Sequence, residues 1–349
     1  MNYARRARHT LKWLLCEMLN LLGVIALLEA TRKDGVRILV YHRVGPSRVD
    51  DGMTVSQMVF DAQLRYLAKH YSVVSLDEVA AILRGERPIR YGLMALTLDD
   101  GYRDNYTRAW PILARYGMPA TIFVTVGPLD GEVSLWTEEI REALWASSGE
   151  ALDLQAMGWG SWPLSTDAER LACLHAVKQR LKVLPDAERQ KTNREIIQRL
   201  GYRGKTAVQD QMLTWDMVRE MSKRGITIGA HTVSHKILTQ IAPQEVDWEI
   251  RESKHRIERR LGEPVRHFAY PNGRRADWDS NIQAVVEQVG FETACTTVRG
   301  TNTAKQDLYA LRRLEITDAG CTDPRGRFSA AMFAAQLAGV FGGREWQRG

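Results

Sequence analysis

Short apolar runs alternate with stretches of helical periodicity along most of this chain, and that alternation is what most restricts its fold. Strand-like runs cover residues 36–41, 71–75, 93–98, 120–126, 226–230, 265–269, 292–297 and 311–316. Between them, helical patterns cover 56–70, 75–84, 104–116, 214–224, 243–261 and 277–289, with a polar loop at Gly45–Gly52. Strand followed by helix, repeated in this way, predicts a mostly parallel α/β sheet or barrel. The 349 residues suffice for one large domain of this class with additions.

The rhythm breaks between about 128 and 213. This stretch is charged and helical, with patterns at 166–184 and 186–200, and carries Trp136, Trp145, Trp159 and Trp162. It reads as a helical insertion at one strand–helix connection. Its centre, Gly158 to Pro163, reads as a loop. Its Trp residues are expected as core anchors, with room for one of them to line a cleft.

The ends differ from the body. Residues 1–35 begin with Arg5, Arg6, Arg8 and Lys12, then run mostly apolar from Leu11 to Leu28 around Glu17 and Asn20. No small-residue cleavage site follows, so a cleaved signal peptide is not expected. The run is marginal for a spanning, uncleaved anchor, and suits at least as well an amphipathic helix that lies on a membrane or on the domain. Compartment stays open, as membrane-associated or cytoplasmic. Residues 318–349 form a tail with a helical pattern through Phe328, Met332, Phe333 and Leu337, expected to pack on the barrel or on a membrane.

Charge and cysteine usage exclude two classes. The net charge of +6 is partly accounted for by the first dozen residues, and no basic run interleaved with aromatics follows, so no nucleic-acid partner is expected. Cys16, Cys173, Cys295 and Cys321 are scattered, which gives neither a thiolate metal site nor a disulfide framework.

The chemistry gathers at strand ends. The run 93–98 stops at Asp99-Asp100-Gly101, and in α/β folds ligands collect at the carboxyl ends of strands. Two adjacent carboxylates repel, so a metal on one and a cation or hydrogen bonds on the other are needed to keep both ionised. A plain Asp-Asp-Gly turn is the competing reading. The run 226–230 is followed by His231-Thr232-Val233-Ser234-His235, whose imidazoles at i and i+4 can reach one ion. Two histidines and a carboxylate form a catalytic set for Zn²⁺ or a similar divalent ion, with positions left open for water and substrate.

Thr97-Leu98-Asp99-Asp100-Gly101 resembles the first motif of the NodB-type polysaccharide deacetylases, carbohydrate esterase family 4, in their exopolysaccharide-associated branch. His231 to His235 is similar to the second motif, and Phe268-Ala269-Tyr270-Pro271-Asn272-Gly273 to the third. Tyr41-His42-Arg43-Val44 resembles the opening strand of that branch, and Leu311 to Ile316 its closing strand. The likeness spans about 36–317. It implies a distorted (β/α) barrel of the NodB type, and metal-dependent removal of N-acetyl groups from a polysaccharide or oligosaccharide with release of acetate. Asp100, His231 and His235 would bind a divalent metal, Zn²⁺ first. Asp99 would be the general base, and the backbone N–H of Asn272 would face the developing oxyanion.

Two departures accompany it. The family's third motif starts with an Arg that orients the base, and position 269 here is Ala; Arg313 on the closing strand is the candidate replacement. The family's late His, its general acid, is missing, because no His follows His267. His42 is the best-placed histidine for that role, for orientation, or as a core residue, and His267 is expected to be structural. Two other functions stay open: an O-acetyl carbohydrate esterase using the same site, or a catalytically weak carbohydrate-binding protein.

Overall fold

The computed structural model describes residues 3–31, 35–46, 52–203 and 211–340. Most of the polar loop expected at Gly45–Gly52, a piece of the 128–213 stretch and the end of the tail lie outside them. Eight strands form one sheet in which all pairings are parallel. Its order is Thr293–Cys295, His267–Ala269, Thr227–Ala230, Thr121–Val124, Leu93–Leu98, Arg37–Tyr41 and Leu314–Glu315, with Ser72–Val73 beside the start of Leu93–Leu98. A bridge from Leu311 to Cys295 joins the last strand's approach to the opposite end of the order. The sheet therefore curls into a distorted barrel closed by residues 311–315.

Alternation along each strand sorts side chains into two layers. Leu39, Tyr41, Leu96, Leu98, Ile122 and Phe268 pack outward with Phe60, Leu64, Val218 and Ile250 of the helices. Ile38, Ala95, Phe123, Ala269, Cys295 and Leu311 pack together inside the curl. Thr97 and Asp99 continue the inner face that Ala95 begins. The strand thus delivers Asp99 into the interior, and the site sits at the carboxyl end of the barrel.

The helices follow the sequence closely, with caps that explain their starts. Ser75 Oγ accepts from the Glu78 N–H at the head of Leu76–Leu83, and Thr214 does the same for Met217 at Trp215–Lys223. The segment expected as one helix over 104–116 opens instead with a wide π-helical turn, Asn105–Ala109, before Trp110–Tyr116. Helices Trp136–Ala146, Asp167–Leu181 and Asp186–Arg199 enclose an apolar cluster of their own, including Ile140, Leu144, Leu174, Val177 and Ile196. The loop expected at Gly158–Pro163 is partly ordered, since Ser161–Pro163 pairs antiparallel with Ala151–Asp153. Its two glycines, both at positive φ, make the turn of that hairpin.

The two chain ends meet. Cys16 and Ile25 of the N-terminal helices Tyr3–Leu21 and Val24–Thr31 pack against Ala331, Met332, Ala334 and Ala335 of the tail helix Ala330–Leu337. Phe333 and Leu337 of the same tail helix belong to the barrel's outer layer. All four cysteines are free and buried.

Gly229, two residues before His231, has no room for a side chain. A Cβ there would meet the Phe123 ring at 2.4 Å and the His267 carbonyl oxygen at 3.0 Å. Gly229→Ala is expected to destabilise the fold by about 1–3 kcal/mol, read as a lowered denaturation midpoint. An unchanged midpoint would contradict this packing.

Candidate active site

Asp99 and Asp100 are both buried, and the structure gives them different partners. Arg313 Nη1 donates to Asp99 Oδ1 at 2.7 Å and Nη2 to Oδ2 at 2.7 Å, a bidentate pair. The same guanidinium donates through Nε to the Thr296 carbonyl at 2.8 Å and through Nη1 to Thr97 Oγ1 at 3.1 Å. Thr97 Oγ1 in turn donates to the Leu39 carbonyl. Burial alone opposes ionisation of Asp99, but the Arg313 charge outweighs it and holds the carboxyl below its usual range. Ala269, at the position where the motif resemblance has an Arg, offers only its carbonyl.

Asp100 faces the histidines. Its Oδ1 lies 3.1 Å from His235 Nε2 and 3.4 Å from His231 Nε2, yet accepts no hydrogen bond. His231 Nδ1 lies 2.7 Å from the Ala269 carbonyl, which takes its N–H and leaves Nε2 as a lone-pair donor. One oxygen and two imidazole nitrogens therefore converge within 4.8 Å of one another. Ligands at about 2.0–2.1 Å on a tetrahedral ion stand about 3.3 Å apart, so the donor set fits a divalent metal. A buried carboxylate oxygen without a hydrogen bond is what such an ion would satisfy.

The loops that carry these groups are conformationally strained. Four non-glycine residues have positive φ among the described residues: Asp100 at 73°, Thr232 at 66°, His235 at 57° and Asn272 at 63°. All four lie in the motif loops. Each such residue costs about 1 kcal/mol or more, so surrounding bonds must hold it. For the histidine loop the clamp is Glu249 on helix Pro243–Leu261. Its buried carboxylate accepts from the Val233 and Ser234 N–H groups at 2.8 and 2.9 Å, and from Ser234 Oγ. Thr232 Oγ1 accepts from the His235 N–H at 3.0 Å. The stretch after Thr121–Val124 joins the aspartate and histidine loops, since Thr125 N donates to Asp100 O, Val126 N to Thr232 O and Gly127 N to Val233 O.

Asn272 sits on the turn after His267–Ala269. The Gly273 N–H donates to Pro271 O, and Thr297 donates to the Asn272 carbonyl through Oγ1 at 2.7 Å. A Cβ on Gly273 would meet the Thr297 nitrogen at 2.8 Å, so this turn requires glycine. Among the described residues the Asn272 N–H donates to nothing. His42 follows the strand Arg37–Tyr41, whose Tyr41 pairs in register with Leu98, so it stands at the strand end beside Asp99. Its carbonyl accepts from Asn105 Nδ2 at 2.9 Å. His267 is fully buried against Thr293 Oγ1, away from these groups.

Two features were not read from the sequence. One is Glu249. The other is a network in which Arg43 Nε donates to Asp104 at 3.0 Å, and its Nη1 to Glu138 at 3.3 Å and Gln211 at 2.9 Å. Tyr102 OH also donates to Glu138 at 3.1 Å. It ties helix Trp136–Ala146 to the strand-end loops. Beside the histidine loop lies a cavity of about 640 Å³, lined among others by Trp136, Asp186, Arg189, Asn193, Ser234 and Trp248.

The sequence matches the polysaccharide deacetylase family over residues 88–153 and 201–294. The chain carries the domain of the polysaccharide deacetylase family. Its members are hydrolases of the amide bonds of N-acetyl groups. Over 281 residues the deacetylase is 22% identical to the Bacillus subtilis protein YxkH, covering 80% of this chain and 71% of that one. Over 121 residues it is 29% identical to the Escherichia coli poly-beta-1,6-N-acetyl-D-glucosamine N-deacetylase, covering 33% of this chain and 18% of that one. Its fold resembles the Streptococcus pyogenes deacetylase PplD in complex with acetate (TM-score 0.56, 20% identity, 84% of this chain and 96% of that one). It also resembles IcaB from Ammonifex degensii (TM-score 0.54, 18% identity, 87% and 96%). The unmatched residues 154–200 fall within the helical stretch, and Arg313 and His42 lie outside the matched region.

Asp99 is ionised below the usual carboxylate pKa, so its stabilising pairing is complete above about pH 4 and fades as pH falls through its lower folded value. Arg313→Met is expected to cost about 3–5 kcal/mol of stability, because it strands a buried charge. It is also expected to move the acid limb of the kcat/KM profile to higher pH by about one unit or more, as burial then dominates Asp99. A melt and a pH–rate profile check both, and an unmoved acid limb would separate Arg313 from the ionisation of Asp99.

Proposed function

We propose that this deacetylase removes N-acetyl groups from an N-acetylglucosamine-containing polysaccharide or oligosaccharide by a metal-assisted hydrolysis that releases acetate. The carrying observation is the division of the Asp pair: one carboxylate bound twice by Arg313, the other left bare against two imidazole nitrogens. Asp100, His231 and His235 hold the ion, Zn²⁺ first, because two nitrogens and one carboxylate oxygen suit it. When bound, such an ion lowers the pKa of a water and polarises a carbonyl.

The chain's own residues supply the proton traffic. Asp99 takes the proton from the attacking water, and Arg313 keeps it in the ionised form and in one orientation. The Asn272 N–H, which has no partner among the described residues, donates to the oxygen on which charge develops. The amide nitrogen must gain a proton to leave, and His42, at the strand end next to that of the two carboxylates, delivers it. The cavity next to the histidine loop, with Trp136 and Trp248 among polar side chains, receives sugars adjoining the one that reacts. The name of the Escherichia coli relative, matched over a third of this chain, supports the choice of N-acetylglucosamine polymers.

Asp99→Asn is expected to lower acetate release by about 10²–10⁴-fold while metal content by elemental analysis stays unchanged. Undiminished release would remove Asp99 as the base. His231→Ala and His235→Ala are expected to lose the metal itself, and full occupancy in either would overturn the ligand set. N-acetyl and O-acetyl forms of one oligosaccharide, assayed side by side, decide the bond cleaved. Release from the ester with none from the amide would make the protein an esterase.

A further inference from the structure

The N-terminal helix reverses the usual rule that a packed helix turns its apolar face inward. Leu11, Leu14, Leu15, Met18 and Leu21 follow one another at three- and four-residue spacing, and all are exposed. Leu22 and Leu27 continue the surface onto the next helix, with Leu21 85%, Leu22 69% and Leu27 65% exposed. These seven make up more than half of the exposed large hydrophobic side chains among the described residues. Contiguous apolar surface of this kind marks a contact with another body.

The stripe is held outward. Cys16 and Ile25 are sealed against small residues of the tail helix, which permit close approach. Ser329 Oγ donates to Glu17 at 2.9 Å, and Trp13 Nε1 to the same oxygen at 3.0 Å. Glu29 is buried and accepts from Arg37 at 3.0 Å and from Tyr71 OH at 2.8 Å. Rotating either helix to hide its leucines would break these bonds.

Charge selects the occupant. Arg6 and Arg8 are exposed at the start of the first helix. The only acidic residues of the two helices, Glu17 and Glu29, are turned inward and paired. A second copy meeting this face through a two-fold would bring no carboxylate to those arginines. An anionic lipid surface offers both phosphates for the arginines and acyl chains for the leucines. Among the described residues no single helix is long and apolar enough to cross a membrane; the two together have the length and composition, but they are bent by 71°. This shape suits lying in the interface rather than crossing it.

We propose that the outward face of Tyr3–Leu21 and Val24–Thr31 docks the enzyme on the surface of an anionic bilayer, with Leu14, Met18 and Leu21 among the acyl chains. The test uses the full chain and vesicles of phosphatidylcholine, alone or with equal parts phosphatidylglycerol, and needs no turnover. The wild type is expected to co-sediment with the mixed vesicles and less with phosphatidylcholine alone, and added salt weakens binding. Leu14→Glu with Met18→Glu is expected to lower partitioning by about tenfold or more. Both side chains point to solvent, so the melting temperature should hold. Arg6→Gln with Arg8→Gln, which leaves the apolar stripe intact, is expected to remove the preference for anionic vesicles. A wild type that stays in the supernatant, or a Leu14/Met18 variant that sediments equally, would overturn the proposal. So would a solution dimer that the Leu14/Met18 variant converts to monomer, which would assign the face to a second copy.

Discussion

Two carboxylates adjacent in sequence at one buried strand end can coexist as charges only if each has its own partner. The rest of the site depends on how the barrel meets that requirement. Asp99 extends the inner face of its strand and meets Arg313, which arrives from the closing strand and is itself fully buried. Asp100, one residue on, is turned by its left-handed backbone towards His231 and His235. Separate partners make the two acids chemically unlike. One is fixed by two hydrogen bonds as an anion, and the other turns an oxygen without a hydrogen bond towards two imidazole nitrogens.

The price of that geometry appears in the backbone. The four non-glycine residues with positive φ are spread over three loops that are distant in sequence, yet all belong to the site. Strain of this kind persists only where neighbours over-determine the conformation. Glu249 does so for the histidine loop, Thr297 for the Asn272 turn, and the 125–127 stretch for the junction between loops. The stable part of the molecule is the parallel sheet with its two apolar layers, and the strained part is carried on its carboxyl rim.

What could be read from the sequence follows from periodicity and local motifs. The strands and their ends are legible because apolar runs stop abruptly before Asp99, His231 and the turn Tyr270-Pro271-Asn272-Gly273. Arg313 is legible only against the Arg missing at position 269. Glu249 was hidden inside a helix read as charged. Its place on the face of Val246, Ile250, Ser253 and Ile257, all buried, is the signal that could have revealed it. The contact of Arg43 with Glu138 joins residues 95 apart through packing that no local pattern encodes. The hairpin around Trp159 was missed because its strands are three residues long, too short for alternation to register.

The Asp99–Arg313 pair also orders the assembly of the molecule in time. Its partners are 214 residues apart, and Arg313 sits on the segment that closes the sheet. On a ribosome Asp99 is made long before Arg313 exists. Until the closing strand docks, the interior that Asp99 enters lacks its cation, and burying it there is unfavourable. Completion of the inner barrel and burial of Asp99 as an anion are therefore coupled, and a nascent chain that has not reached residue 313 lacks the pair.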